Sequence, residues 1–377
     1  MTKKNKVIVG MSGGVDSSVS VALLQQQDYA VEGMFMKNWE EDDSQEVCAA
    51  IEDAEDAQSV ADKLKVKLHL RNFASEYWDF VFEDFLNEYR IGRTPNPDIL
   101  CNREIKFKTF LENAQDLGAD YMATGHYVDK DFHEGKFRLL KGQDQNKDQS
   151  YFLYTITQQQ LAFSLFPLGK IDKPDVRKTA QELDLIVADK KDSVGICFIG
   201  EKDFQKFLTN YIKPNPGDIV DETGKVIGKH TGLMYYTIGQ RQGLGIGGVK
   251  DAPPLPWFIA AKNHQDNLLI AVQGGDNPLL QSNLLLAINI NWISGSKPNL
   301  PIKCKAKTRY RQSDQECMVY ADESDQIFVE FSQSQRAVTP GQSVVLYQDN
   351  VCLGGGIIQH TNTLTEKCEF REKNNEE

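Results

Sequence analysis

The sequence predicts an α/β unit on a doubly wound parallel sheet, followed by a small central domain and a C-terminal β-barrel. Three observations carry that expectation. Short apolar runs alternate with helical periods through the first 210 residues, the pattern of strand–helix–strand units. Pro214, Pro216 and Gly217 then punctuate the chain, and the texture changes to short β-like runs and glycine turns such as Asp221-Glu222-Thr223-Gly224 and Gly239 to Gly248. A second change falls at Gly274 to Pro278, after which period-two alternation runs to about Thr365. The expected units are 1–210, 211–277 and 278–365, with 366–377 an acidic tail expected to be disordered.

In chain order, Val7-Ile8-Val9 reads as a buried strand that enters a glycine-rich turn, and the helix after it shows Val15, Val19, Ala22 and Leu23 on one face. Ala30 to Met36 is the second strand. Ala50, Ala54, Ala57, Ala61 and Leu64 define the next helix, and Leu68 to Leu70 a third strand. Tyr77 to Tyr89 is helical and so rich in aromatics that it reads as core. Lys106 to Leu117 is a helix stopped by Gly118, and Tyr121 to Ala123 a strand that ends on Thr124-Gly125-His126. Helices over Gln158 to Leu168, Lys173 to Leu185 and Lys202 to Tyr211 complete the unit. In such sheets ligands sit beyond the carboxyl ends of the strands, so Gly10 to Ser17, Met36 and Gly125 are expected to share one crevice.

Composition narrows the class. With 377 residues and 40% hydrophobic content the chain has enough apolar mass for several cores. The N-terminal MTKKNK is basic, but the apolar run after it is short and broken by glycines, so a signal peptide or membrane span is not expected and a cytoplasmic address is. Seven cysteines are scattered and never form CxxC, which argues against a disulfide scaffold, a zinc site or an iron–sulfur cluster. The net charge of −12 requires any nucleic-acid site to be a local basic patch.

The turn Ser12-Gly13-Gly14-Val15-Asp16-Ser17 has the makings of a phosphate cradle. Glycines let the backbone turn tightly against a ligand, and the helix start offers unpaired N–H groups at the positive end of its dipole. The ATPase pattern GxxxxGK[ST] and the dinucleotide pattern GxGxxG are both absent. The plain alternative is a βα turn in which Asp16 and Ser17 act as helix caps. SGGVDS resembles the pyrophosphate loop of ATP pyrophosphatases, which split ATP between its α and β phosphates and activate a carbonyl oxygen as an adenylate. On that resemblance Ser12, Gly13, Gly14, Ser17 and Ser18 hold pyrophosphate, and Asp16 orients the phosphates or their magnesium.

Two cysteines keep unusual company. Cys101 lies in Arg93-Thr94-Pro95-Asn96-Pro97-Asp98-Ile99-Leu100-Cys101-Asn102-Arg103. The two prolines predict a stiff loop, Arg93 and Arg103 a lowered thiol pKa, and Asp98 a nearby acid or base. Cys197 lies in Gly195 to Gly200, with Lys190 and Lys191 upstream. Taken singly, either is equally well a buried inert thiol. A third feature is KCKAKTRYR, which places Lys303, Lys305, Lys307, Arg309 and Arg311 at alternate positions and so predicts one basic strand face suited to a phosphate backbone. A solvated strand face is the plain reading of the same pattern.

Together these stretches resemble the tRNA 2-thiouridylase family of pyrophosphate-loop (PP-loop) enzymes. The matching residues are GMSGGVDSSV, Phe35 to Trp39, Thr94 to Lys106 (TPNPDILCNREIK), Ala123 to Tyr127, Lys147 to Leu153, Gly195 to Gly200, Tyr236 to Gly245 and Arg309 to Arg311. They span most of the chain in the family's order. The resemblance implies a catalytic domain, a central domain and a barrel. It also implies ATP held by Gly10, Met11, Ser12, Gly13, Gly14, Val15, Asp16 and Ser17, with Met36 and Gly125 near the adenine. The reaction implied is adenylation of the uracil C2 oxygen at the wobble position. Cys197 would carry persulfide sulfur from a sulfur-relay protein or cysteine desulfurase. Cys101 would release it by disulfide formation or assist its attack on C2, and Asp98 would be the acid–base residue. Asn96, Pro97 and Asp98 would touch the target base; His126, Lys147, Asp148, Gln149, Arg309, Tyr310 and Gln342 would contact tRNA. His126 alone is as well read as a hydrogen-bonded core histidine.

The sequence admits rival readings. A small-molecule ligase with the same loop, of the NAD-synthetase, GMP-synthetase or argininosuccinate type, has no use for a thiol pair. A lysidine synthetase does not need one either, and a cluster-dependent thiolase is expected to show CxxC. A non-catalytic RNA-binding adaptor would have no reason to keep Ser12, Asp16, Asp98 and both cysteines.

Overall fold

The computed structural model describes residues 4–39, 44–192, 204–247, 254–321 and 325–362, and of residues 44–49 the backbone alone. Cys197, with its motif Gly195 to Gly200, and the tail 366–377 lie outside the described residues.

The first unit is a five-stranded sheet. Strands β1 (Lys6–Met11), β2 (Ala30–Lys37), β3 (Leu68–Asn72) and β4 (Tyr121–Ala123) pair in parallel with the short β7 (Ser164–Leu165), in the order β3-β2-β1-β4-β7. Both faces are covered, as a parallel sheet requires. Ile8, Met34 and Met122 enter one apolar cluster, and Val7, Val9 and Met11 the other. Because the order reverses between β1 and β4, the loops leaving these two strands diverge and open a crevice between them. The doubly wound architecture is as the sequence predicts.

Helix α1 (Val15–Gln26) follows β1, and α2 (Ser44–Leu64) follows β2. The aromatic helix α3 runs through Ala74–Tyr77, Trp78–Phe82 and Glu83–Arg90, its middle segment widened to π geometry, and buries Tyr77, Phe82, Phe85 and Tyr89 as core.

Helix α4 corrects an expectation. It begins at Pro97 rather than Lys106, runs through Pro97–Leu100, Cys101–Thr109 and Phe110–Asp116, and so carries Asp98 and Cys101 on a helix rather than a stiff loop. Pro97 is the physical reason: at the first helical position its missing N–H costs nothing and its fixed φ suits the helix. The expected helix at 158–168 also ends early. A capping box between Thr157 and Gln160 starts α5 (Gln158–Phe163), but Ser164 turns extended to give β4 an edge partner.

An unforeseen hairpin, β5 (Val128–His133) and β6 (Lys136–Lys141), leaves the first unit and pairs with the last strand of the barrel at Val351 and Cys352. Its turn has φ of 48° at Glu134 and 79° at Gly135, the geometry of a tight two-residue hairpin. Helix α6 (Lys173–Glu182) then packs on α1 and α7 (Phe204–Thr209) closes the unit.

The central domain is a four-stranded sheet of β8 (Gly217–Val220), β9 (Val226–His230), β10 (Trp257–Asn263) and β11 (Leu268–Gln273). The C-terminal strands are β12 (Gln281–Trp292), β13 (Ile302–Lys307), β14 (Gln315–Ala321), β15 (Ile327–Arg336), β16 (Ser343–Gln348) and β17 (Val351–Thr361), and pairing of β12 with both β15 and β17 closes them into a barrel.

The barrel corrects a second expectation. Strand β13 ends at Lys307, so Arg309 and Arg311 stand beyond it and the five cations do not share one strand face. Nor are they unopposed. Lys305 pairs in register with Glu316, Lys303 Nζ lies 3.8 Å from the same carboxylate, and Lys307 Nζ sits 3.8 Å from Asp314 and 3.9 Å from Asp148. Alternation within one strand cannot reveal the acids that its neighbour supplies.

Candidate active site

The glycine turn meets the crevice where β1 ends. Gly13 takes φ of +71°, and a Cβ there would come within 2.3 Å of the Asp53 carbonyl, so only glycine fits beneath α2. The hydroxyls close the loop from within: Ser17 Oγ accepts from Ser12 N at 3.2 Å and donates to Gly14 O at 3.1 Å, and Ser18 Oγ donates to Gly14 O at 2.8 Å. No side chain caps the start of α1. Asp16 and Ser17 are therefore not the helix caps of the plain reading, and the only charge in the first turn of α1 is the Asp16 carboxylate.

The other predicted nucleotide residues converge here. A Cβ on Gly125 would stand 3.0 Å from Asp16 C and Ser17 N, so the loop after β4 lies directly on the start of α1. A Cβ on Gly10 would stand 3.3 Å from the Met36 methyl.

Around Asp16 the structure assembles charges from distant parts of the chain. Lys173 Nζ binds Asp16 Oδ1 at 2.7 Å and Oδ2 at 2.8 Å, and Tyr127 donates to Oδ1 at 2.7 Å. The same ammonium lies 2.7 Å from Asp192, which also takes Lys147 at 2.6 Å and Arg177 at 2.9 Å. Burial raises the Asp192 pKa, but the hydrogen bonds from Lys147 and Lys173 outweigh it and hold the group down at about 2. Burial and the neighbouring Asp16 push the Tyr127 hydroxyl far up, so it stays a donor. Lys190 Nζ ties Gly13 O at 3.0 Å to Asp53 at 2.7 Å and Asp56 at 2.5 Å. Lys173 opens α6 just before a proline, a position with no periodic or motif signal, which is why sequence reasoning passed over it.

Helix α4 brings the second half of the site. Cys101 is buried, 2% exposed. The arginines expected to act on it are engaged elsewhere: Arg103 binds Glu104 at 2.8 Å and Arg93 lies 3.6 Å from Glu88. Asp98 is one helical turn from Cys101, and burial raises its pKa against the opposing pull of Lys106. Burial, aided by Lys106, lowers the His126 pKa well below its ordinary value, and His126 Nδ1 pairs with Thr124 Oγ1 at 2.8 Å. His126 is thus a neutral, hydrogen-bonded histidine 7% exposed. The Phe107 ring of α4 lies 5.9 Å from that of His126, so this helix packs against the loop after β4.

The residues expected to meet RNA are placed as follows. Asp148 is buried and accepts from Gly142 N, Ser150 N and Ser150 Oγ. Gln149 accepts from Tyr127 N, and Lys147 is held by Asp192. The barrel residues reach back to the catalytic unit. Gln342 donates to Thr94 O at 2.7 Å and Pro95 O at 3.2 Å, immediately before Asn96, and the Tyr310 ring packs 4.4 Å from Phe152. Arg309 donates to Ala337 O.

Magnesium is implied with ATP. Among the described residues no three His, Cys, Asp or Glu side chains form a metal cluster, and the carboxylate at the loop, Asp16, is engaged by Lys173 and Tyr127. With both Asp16 oxygens held in this way, an ion here would be carried on the ATP phosphates, and Asp16 would join it only on releasing Lys173. No helix among the described residues is long and apolar enough to cross a membrane.

Comparison with known proteins covers the same three units. A family model described as tRNA methyl transferase HUP domain matches residues 5–201, one described as tRNA methyl transferase PRC-barrel domain matches 205–273, and an aminomethyltransferase beta-barrel domain matches 282–358. The chain is 57% identical over 373 residues to a tRNA-specific 2-thiouridylase MnmA of Acinetobacter baumannii (strain SDF), covering 96% of this chain and 99% of that one. It is 59% identical over 355 residues to the protein of that name from Psychromonas ingrahamii, covering 94% and 97%. The Vibrio cholerae protein of that name is 58% identical over 359 residues, covering 94% and 96%.

Proposed function

The chain belongs to the tRNA-specific 2-thiouridylase family, and from that premise we propose that it replaces the C2 oxygen of the wobble uridine with sulfur in a subset of tRNAs, at the expense of ATP. The observation that supports the reading is that an uncapped glycine loop and the Gly125 turn lie together, while Phe110 of the helix that bears Asp98 and Cys101 stands against Gly10 at the end of β1. Small-molecule ligases share the first two features and have no need of the third.

The proposed sequence of steps is balanced. The uracil O2 attacks the α-phosphorus of ATP and pyrophosphate leaves. The loop N–H groups and the start of α1 hold the departing phosphates, and Lys173 offers an ammonium beside Asp16 where that negative charge gathers. Magnesium, when bound, adds charge neutralisation on the phosphates. Asp98 takes the Cys101 proton, a task suited to a carboxylate of raised pKa. The Cys101 thiolate attacks the Cys197 sulfur that bears the persulfide. A Cys101–Cys197 disulfide forms as the persulfide S–S bond breaks, and hydrosulfide is released. Hydrosulfide adds to C2, and AMP leaves with the oxygen. A thiol reductant then reopens the disulfide. The persulfide comes from a relay protein or a cysteine desulfurase, and a reaction that needs reduced thiols and tRNA belongs in the cytoplasm.

The test is incubation with unmodified tRNA, ATP, magnesium and sulfide, followed by nucleoside mass analysis and AMP quantitation. Sulfur on one anticodon uridine with AMP in step is the expected result. AMP without thiolated RNA overturns the acceptor, and neither product overturns the enzyme.

A further inference from the structure

Asn102 follows Cys101 and lies one helical turn beyond Asp98, so Asp98, Asn102 and Lys106 share one face of α4, the helix whose Phe107 ring packs 5.9 Å from His126 in the loop after β4. Its side chain is 4% exposed. Its Nδ2 donates to the Phe152 carbonyl at 3.3 Å, while Oδ1, shielded from solvent, has no hydrogen-bond partner. A buried acceptor without a partner costs free energy, and proteins keep few of them. The amide cannot turn over to remove the defect, because that would set its oxygen against the Phe152 oxygen. Position and polarity are therefore both fixed: a buried acceptor without a partner stands next in the chain to Cys101.

We propose that Asn102 Oδ1 accepts the N3–H of the target uracil and thereby selects uridine over cytidine. The inference rests on the thiolation reading above. Cytosine also carries an oxygen on C2, so reactivity at C2 alone does not exclude it. The two rings differ at N3, which donates in uracil and accepts in cytosine; a fixed acceptor attracts the first and repels the second. N3 is bonded to C2. As O2 bonds to phosphorus the ring loses electron density and N3–H becomes a stronger donor, so the bond tightens toward the transition state and contributes to rate as well as to choice.

The test uses the full-length enzyme and two anticodon stem-loops, with uridine or 3-deazauridine at the target position; the second replaces N3–H by C–H. Both binding and single-turnover thiolation are measured. The wild type is expected to prefer uridine by about 10-fold or more, and Asn102→Ala to lose most of that preference. Asn102→Asp, whose protonated carboxyl can both donate to Phe152 O and accept from N3–H, is expected to keep it. Asn102→Ser removes the amide oxygen with less change in volume and serves if the alanine variant does not fold. A uridine preference unchanged in the alanine or serine variant overturns the proposal, because a purely structural role would slow both substrates alike. Failure of the wild type to thiolate uridine overturns the thiolation reading instead.

Discussion

The crevice of the catalytic unit and the C-terminal barrel both bury charges and cysteines, yet they resolve them differently. In the barrel the polar groups find partners within the fold. Lys307 of β13 shares Asp314 with Lys141 of β6, the strand paired with β17, and Cys304 faces Cys317 across β13 and β14 with the sulfurs 3.7 Å apart. In the crevice the start of α1 has no cap, Asn102 Oδ1 has no partner, and Asp98 is buried with its pKa raised. A functional region is marked by what it leaves unsatisfied, more than by how many charges or thiols it holds.

The thiols give the strongest contrast. Cys304 and Cys317 are adjacent, but the neighbouring sulfur and burial push the Cys317 pKa far up and leave it inert. We expect Cys101→Ser to reduce thiolation by about 10³-fold or more with a protein persulfide donor, while Cys304→Ser changes the rate less than about twofold. A comparable loss from Cys304→Ser, measured by mass analysis of the tRNA nucleosides, would break the comparison.

Lysines give the next test. Lys173→Met removes the ammonium beside Asp16 and is expected to slow AMP formation by about 10²–10³-fold. Lys141→Met removes an equally buried barrel lysine and is expected to lower melting temperature with AMP formation per folded enzyme unchanged.

Asp98 sharpens the account through pH. A base works only when ionised, and burial raises its pKa above the ordinary 3.8, so activity is full above the raised value and lost as pH falls through it. Asp98→Asn is expected to lower the rate by about 10²-fold and to abolish that acid limb; an unshifted limb in the variant assigns it to another group. The smallest effect belongs to Lys303, exposed and 3.8 Å from Glu316. Lys303→Gln is expected to change tRNA affinity by less than about threefold at physiological salt. A large loss would restore the basic strand face that β13 does not present.

The glycine loop and the alternation of strands and helices were legible because they are local: apolar period, glycines and hydroxyls sit within a few residues of one another. Cys101 was found as a residue but misplaced on a loop, because two prolines suggest stiffness and only the position of Pro97 tells a helix start from a turn. Lys173, Tyr127 and Asp192 were not legible. All are remote from Asp16 in sequence: Lys173 reaches it through the packing of α6 on α1, Tyr127 through the turn after β4, and Asp192 only by way of Lys173, and neither propensity nor spacing carries that information. The hairpin Val128–His133 and Lys136–Lys141 had a readable signal in Glu134-Gly135 between alternating runs, yet its partner β17 lies more than two hundred residues away.

On the proposed mechanism, sulfur leaves Cys197 by attack of Cys101. The most direct measurement is one turnover with persulfide-loaded enzyme, ATP and tRNA in the absence of reductant, followed by peptide mapping of disulfides against 2-thiouridine formed. A Cys101–Cys197 disulfide in amounts equal to the thiolated uridine is the predicted result. Thiolated tRNA with Cys101 still reduced would contradict the account.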